Sequence, residues 1–303
     1  MTTDKPGLTR QGVMRGALGA ALGAAWPAGA ETPLHRRAIP SSGENLPVIG
    51  LGTWIGFNVG AAEAERERLR GVVAALLDGG GRVIDSSPMY GRAEAVAGDL
   101  VAAAGARERT FLATKVWTRG REAGIAQMRQ SMARLRTDRL DLMQIHNLLD
   151  WRTHLPVLRA WKQEGRIRYL GISHYTESAY DEVEAVLRSE PLDFLQINYA
   201  LDDRAAEERL LPLAADRGVA VLVNRPFGGG GLLRRLRDRP LPAYAAEIGC
   251  ESWAEILLKF VIAHPAVTCA IPGTGQPHHM VMNLRAGTGP LPDQALRRRM
   301  QAA

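Results

Sequence analysis

At 303 residues, 46% of them hydrophobic, the chain is long enough to bury a full core, and with 23% charged residues it does not have the composition of a disordered protein. Its net charge of +6 comes from scattered cations with no interleaved aromatics, which argues against nucleic acid as a partner, and Arg297, Arg298 and Arg299 read as surface charge on a terminal helix. Cys250 and Cys269 are the only cysteines, and no metal-type Cys or His spacing exists, so no metal is expected and the two thiols are expected to be separate and buried.

Residues 1–30 stand apart from the fold. Arg10 and Arg15 flank the start of a small-residue apolar run, Gly16 to Trp26, and Pro27-Ala28-Gly29-Ala30 supplies an Ala-x-Ala cleavage pattern. Thr9-Arg10-Gln11-Gly12-Val13-Met14-Arg15 resembles a twin-arginine export motif in which Gln11 stands in for the second arginine. The expectation is a degenerate signal peptide over 1–30, a periplasmic or exported product, and the export machinery as a partner. If the segment is not a working signal, the location is cytoplasmic. Cleavage leaves residues 31–303 as one domain with charge +4, from 35 basic minus 31 acidic residues. No membrane span is expected in that mature chain.

The mature chain then alternates. His35–Ile39 and Leu46–Ile49 flank a polar turn and predict an entry hairpin. Val48–Thr53 is a first strand, and Glu63–Leu77 a helix stopped by Gly79-Gly80-Gly81. Val83-Ile84-Asp85 is a second strand, which meets the turn-forming Ser86-Ser87-Pro88 and then Tyr90. A helix over Ala93–Ala104, a strand ending at Lys115, a helix over Ile125–Leu135 and a strand ending at His146 follow. Helix Leu155–Glu164, strand Ile167–Ser173, helix Tyr180–Arg188 and strand Leu192–Asn198 continue the pattern. Ala205–Asp216 reads as one helix and Val219–Val223 as a strand buried on both faces. Gly228–Gly231 opens a long loop. Ser252 and Glu255 form a capping box for a helix to about His264, before strand Val267–Ile271 and a helix carrying Asn283.

Eight strands alternating with helices give an α/β fold, a (β/α)₈ TIM barrel with an N-terminal β-hairpin. A doubly wound sheet is the competitor, but Gly50-Leu51-Gly52 lacks the third glycine of its fingerprint. In a barrel the C-terminal strand ends meet at one mouth, so Asp85, Lys115 and His146 converge with Tyr90. A cation beside Tyr90 favours its ionised form and is expected to lower its pKa. A tyrosine so tuned can protonate a carbonyl oxygen, with His146 orienting the same oxygen. None of these four supplies a hydride, so a redox reaction needs a nicotinamide.

From about Arg37 to Gly287 the sequence resembles an aldo-keto reductase. The likeness rests on Gly50-Leu51-Gly52-Thr53, Asp85 with Tyr90 five residues on, Lys115, His146, Gly171-Ile172-Ser173, Gln196-Ile197-Asn198-Tyr199 and Ile271-Pro272-Gly273-Thr274 with Asn283. The resemblance implies hydride transfer from a nicotinamide to an aldehyde or ketone, with Tyr90 as general acid tuned by Lys115 and Asp85. It implies NADP as cofactor, with NAD not excluded, and a small carbonyl compound as substrate. Gly52, Thr53, Ser173, His174 and Gln196 would lie toward the nicotinamide. Arg225, Phe227, Gly228, Gly273, Thr274, His279 and Asn283 would lie in the loops that hold the rest of the dinucleotide.

Several positions depart from that pattern. His174 stands where the family commonly has an asparagine for the carboxamide, and Asn224-Arg225 replaces the aromatic-Ser pair whose ring stacks on the nicotinamide. Arg225 is left to stack by its guanidinium plane or to reach phosphate. Gly273, His279 and Met282 weaken the expected 2′-phosphate clamp. Trp54, Trp117, Asn147, Leu148 and Trp151 are the expected lining of the substrate mouth, pointing to an apolar or aromatic group beside the carbonyl. The alternative on the same fold is a nucleotide-binding sensor or partner subunit without turnover, like the potassium-channel β subunits of this type.

Overall fold

A computed structural model describes residues 33–302 of the chain; the export reading of residues 1–30 falls outside them. The described chain opens on a hairpin in which β1 (Arg36–Ala38) pairs antiparallel with β2 (Asn45–Pro47). Eight parallel strands follow: β3 (Leu51–Gly52), β4 (Val83–Asp85), β5 (Phe111–Val116), β6 (Leu140–His146), β7 (Ile167–Ser173), β8 (Phe194–Asn198), β9 (Ala220–Asn224) and β10 (Val267–Ala270). They are hydrogen-bonded in sequence order. The ring closes where Gly50 N donates to Ala270 O at 2.8 Å, Ala270 N to Val48 O at 2.9 Å, and Gly52 N to Pro272 O at 3.1 Å. Closure removes both sheet edges, as a (β/α)₈ barrel requires.

Strand alternation divides the apolar residues into two layers. Val83, Phe111, Ala113, Leu142, Tyr169, Phe194, Ala220, Leu222 and Cys269 fill the lumen. Their neighbours along each strand, such as Ile84, Leu112, Met143, Leu195 and Val221, pack outward against the helices. Gly171 makes room for this filling, since a Cβ there would stand 2.5 Å from Phe194 O. The hairpin stoppers the bottom of the barrel: Ile39 and Leu46 are buried within the lumen cluster. Arg37 donates to the carbonyls of His264, at 2.5 Å, Ile262, at 2.7 Å, and Val267.

Three sequence expectations are corrected here. Ala205–Asp216 is two helices, Ala205–Glu208 and Leu210–Asp216, with Arg209 non-helical between them. Pro212 explains the break, because it has no N–H to continue a helix from Glu208 and its ring collides with that carbonyl. The Gly228 loop instead tightens into a turn over Gly228–Gly230 and a short helix, Gly231–Leu236, whose Leu232 and Leu236 bury against Leu257. Arg297 is not surface charge. It is buried, donates to Tyr199 Oη at 2.5 Å and Glu207 Oε1 at 2.6 Å, and stacks 4.8 Å above Phe260. The capping box of Ser252 and Glu255 starts the helix Trp253–Ile262 as the spacing requires. Cys250 and Cys269 are both free and buried, and burial pushes the Cys250 thiol up to about 12.

Candidate active site

The parity that sends Val83, Phe111 and Ala113 into the lumen also sends Asp85 and Lys115 there, one layer higher. The same holds for Gln144 and His146 above Leu142, Ser173 above Tyr169, Gln196 above Phe194 and Asn224 above Leu222. The polar residues at successive strand ends thus form one ring above an apolar plug, and the positions follow from the period-two geometry of a strand.

Asp85 and Lys115 form the centre of the ring. Lys115 Nζ donates to Asp85 Oδ2 at 2.6 Å and to Ser86 O at 2.8 Å. The other carboxylate oxygen, Oδ1, accepts from Gln196 Nε2 at 2.8 Å and Gln144 Nε2 at 3.1 Å. Burial alone would pull the lysine pKa down. Attraction from Asp85, then Tyr90, more than offsets it, so Lys115 is held above its ordinary value and stays charged. Lys115 itself lies beneath the cavity floor, fully buried.

Tyr90 stands over this pair, with Lys115 Nζ 5.3 Å from its ring centroid. The expected lowering of its pKa does not occur. Burial raises it most; Lys115 opposes, and Asp85 adds to the raising. With its carboxylate partner 2.6 Å away, the lysine acts on Tyr90 as half of a neutral pair rather than as a free cation. Tyr90 is therefore a protonated phenol at neutral pH.

His146 meets Tyr90 edge-on, ring centroids 6.0 Å apart. Burial first, then Lys115 and His174, holds its pKa down to about 2, so the ring is neutral. Ser87 Oγ accepts from Met89 N at 3.4 Å and lies 3.0 Å from His146 Nδ1. When the Ser87 hydroxyl donates to Nδ1, the proton of the neutral ring sits on Nε2.

Above the ring opens a cavity of about 970 Å³ lined by residues from nearly every strand end. Gly52, Thr53, Trp54, Asp85, Tyr90, His146 and Asn147 border one side; Ser173, His174, Gln196, Arg225, Phe227, Gly273, Thr274, His279 and Asn283 border the rest. Among the described residues, Arg225 is the only lysine or arginine in the lining. It sits in left-handed backbone, φ 51°, with its guanidinium 5.8 Å from the Tyr175 ring, which in turn stacks on His174. Gly228 is not part of the lining, where a Cβ on it would instead meet Asp202 Oδ1 at 2.4 Å, and Gly229 and Gly230 border the cavity. Three buried oxygens at this wall and its neighbour, Ser173 Oγ, Asn147 Oδ1 and Asn224 Oδ1, have no hydrogen-bond partner in the protein. Buried polar atoms are seldom left unpaired, so these are the atoms a polar ligand would satisfy.

A family model for the aldo/keto reductase family matches residues 48–302. The chain belongs to that family. Its relatives include methylglyoxal reductase YeaE of Escherichia coli, 30% identical over 82% of this chain and 89% of the relative. Glyoxal reductase of Bacillus subtilis is 26% identical over 76% and 81%. Among solved structures, an aldo-keto reductase from Klebsiella pneumoniae in complex with NADPH superposes with a TM-score of 0.74 at 28% identity, covering 89% of this chain and 94% of that one.

Within this aldo-keto reductase, the substrate-side expectations divide. Trp54 lines the cavity and is 58% exposed; Trp117 stands at the rim, 6.4 Å from His146 between ring centroids. Trp151 is not part of the mouth. Asn147, Leu148 and Asp150 all adopt positive φ and turn the chain outward, so Trp151 begins a helix, with its indole nitrogen on Glu182 and Arg152 stacked on its ring. Leu148 is buried in the outer core. Met89 and Tyr175 line the cavity without having been singled out, and Gln144 and Ser87 belong to the polar ring. Gln144 has the same strand parity as His146 and is legible on that ground. Ser87 and Tyr175 lie in turns, where no periodicity marks them.

Proposed function

We propose that the protein reduces aldehydes or ketones with NADPH, Tyr90 acting as the proton donor. The observation that carries this reading is a phenol kept protonated by burial, beside a neutral histidine and over a buried lysine–aspartate pair, on the floor of a large cavity. The unpartnered Ser173, Asn147 and Asn224 oxygens fit the carboxamide end of a nicotinamide, and the cavity has room for a dinucleotide with a small substrate. Thr274 and His279, at the start of the helix Pro277–Arg285, and Asn283 in its last turn fit the other end. When bound, the reduced nicotinamide supplies the hydride that no side chain here carries.

Each residue then has a physical task. Tyr90 passes its phenolic proton to the carbonyl oxygen as that oxygen gains charge. The Lys115 ammonium stabilises the phenolate left behind, while Asp85, held by Gln144 and Gln196, keeps the ammonium in place. In the tautomer with Ser87 donating to Nδ1, His146 has Nε2–H free to point the carbonyl oxygen at the phenol. Trp54, Met89 and Trp117 favour an apolar or aromatic group next to the carbonyl. Loss of NADPH absorbance with a panel of methylglyoxal, glyoxal and aromatic aldehydes tests the reading. Turnover dependent on Tyr90 is expected; a folded protein that neither binds NADPH nor turns over would refute it.

The proposal extends to location. Arg10, Arg15 and the apolar run Gly16–Trp26 support export, and a reductase working outside the cytoplasm must take its dinucleotide along, which export of the folded chain permits. Cell fractionation with bound-nucleotide analysis checks this: cofactor-loaded protein is expected in the exported fraction, and a wholly cytoplasmic, uncleaved chain would end the proposal.

A further inference from the structure

We infer that Asn224 receives one of the amide hydrogens of the nicotinamide carboxamide, so that this chain strengthens its selection of a carboxamide-bearing ring through a side chain on its seventh barrel strand. The inference rests on the NADPH reading above. Asn224 ends β9, and the parity of Ala220 and Leu222 directs it into the mouth, where it lines the cavity.

Its orientation is fixed by chemistry. The side-chain nitrogen of Asn224 donates to the carbonyl of His174 at 2.9 Å. A carbonyl only accepts, so the nitrogen of Asn224 must face it and Oδ1 must face the other way. That Oδ1 is buried and has no partner in the protein. It is an acceptor held in position with nothing to accept, in the wall that also carries the unpartnered Ser173 Oγ.

Of the neighbouring groups, Gln196 alone offers a second oriented acceptor. The ring nitrogen Nδ1 of His174 takes a hydrogen from Thr176 N at 3.4 Å, which leaves Nε2 as a donor in the neutral ring. Gln196 also turns its amide nitrogen to Asp85, which leaves its Oε1 as a second acceptor in the cavity lining. The two amide hydrogens of the carboxamide therefore have one acceptor each in Gln196 and Asn224. Asn147 has an open Oδ1, but its side-chain nitrogen makes no bond to the protein that fixes which way the amide faces. Ser173 and Asn224 are thus complementary: a hydroxyl can donate to the carboxamide oxygen while the fixed Oδ1 accepts from its nitrogen. A ring bearing a methyl ketone in place of the carboxamide keeps the first contact and loses the second.

The test compares three ligands on the full chain by tryptophan fluorescence: NADP⁺, its 3-acetylpyridine analogue, and 2′-phospho-ADP-ribose, which has no pyridine ring. Wild type is expected to bind NADP⁺ about tenfold more tightly than the acetylpyridine analogue, the scale of one neutral hydrogen bond with a buried acceptor otherwise left open. Asn224→Ala and Asn224→Leu are expected to narrow that preference to within about threefold while leaving 2′-phospho-ADP-ribose affinity unchanged. A wild type that binds both dinucleotides equally overturns the inference without any variant, as do variants that keep the preference or lose 2′-phospho-ADP-ribose affinity as well. Failure of wild type to bind any of the three is a different result, which refutes the NADPH reading itself.

Discussion

The two halves of the polar ring are finished to different degrees. On β4 to β6 every charge is matched: Asp85 accepts three hydrogen bonds, Lys115 has a carboxylate and a carbonyl, and His146 is tied to Ser87. On β7 to β9, by contrast, Ser173 Oγ and Asn224 Oδ1 are buried without partners. The first half has its charges internally matched to hold one proton on Tyr90, with Gln144 Oε1 left as an unpartnered acceptor on β6. The second is complete only with a ligand. Pre-organisation therefore belongs to the proton side, and recognition to the side left open.

The largest effect should come from removing the proton donor itself. Tyr90→Phe is expected to lower kcat by about 10²–10⁴-fold while NADPH affinity stays within about twofold. Stopped-flow turnover beside fluorescence titration checks it, and comparable rates in both proteins would take Tyr90 out of the mechanism.

Breaking the satisfied half should next cost stability. Asp85→Asn leaves a buried Lys115 without its counter-charge, and about 3–5 kcal/mol of unfolding free energy should be lost, measurable by urea denaturation. Loss of less than 1 kcal/mol would mean the lysine finds another partner or sheds its proton.

His146 gives a pH signature of the same half. Its folded pKa of about 2 lies below the unfolded 6.5, so the unfolded chain binds the extra proton between those values. Stability should therefore fall as pH drops below 6.5, with His146 contributing about 1.4 kcal/mol per pH unit. His146→Gln should flatten that slope. A wild-type slope identical to the variant's would show that the ring titrates normally.

The smallest structural effect belongs to the open half. Ser173→Ala removes a hydroxyl that bonds nothing in the protein, so stability should stay within about 0.5 kcal/mol. NADPH affinity should nonetheless drop by about tenfold. Should stability fall while affinity holds, Ser173 would belong with the satisfied half.

Periodicity made the barrel and the membership of its ring legible. Once Val83 and Phe111 are placed inward, Asp85 and Lys115 must follow. Chemistry that depends on a competition of magnitudes was not. A cation near Tyr90 argues for a lowered pKa until the structure shows how completely Asp85 neutralises that cation and how deeply the phenol is buried. Turn geometry hid the position of Trp151, since three left-handed residues in four steps cannot be read from Asn147-Leu148-Leu149-Asp150. Arg297 misled for the opposite reason: three consecutive arginines look uniform in sequence, but a helix rotates about 100° per residue and sends one of them inward. Asn224 was visible as a departure from its family. Its use became apparent only with the His174 carbonyl beside it.

The stopper at the base of the barrel also sets the order in which the molecule can be made. His35 N donates to Gly287 O, and Arg37 grips carbonyls at 262, 264 and 267, so the first described strand is latched to the last helices across more than two hundred residues. A ribosome releases that first strand long before its partners exist. The latch at the bottom of the barrel therefore cannot form until the last strand and the helices around it have been made. A chain cut short before residue 262 would lack every carbonyl that Arg37 holds, and its lumen would remain accessible from below.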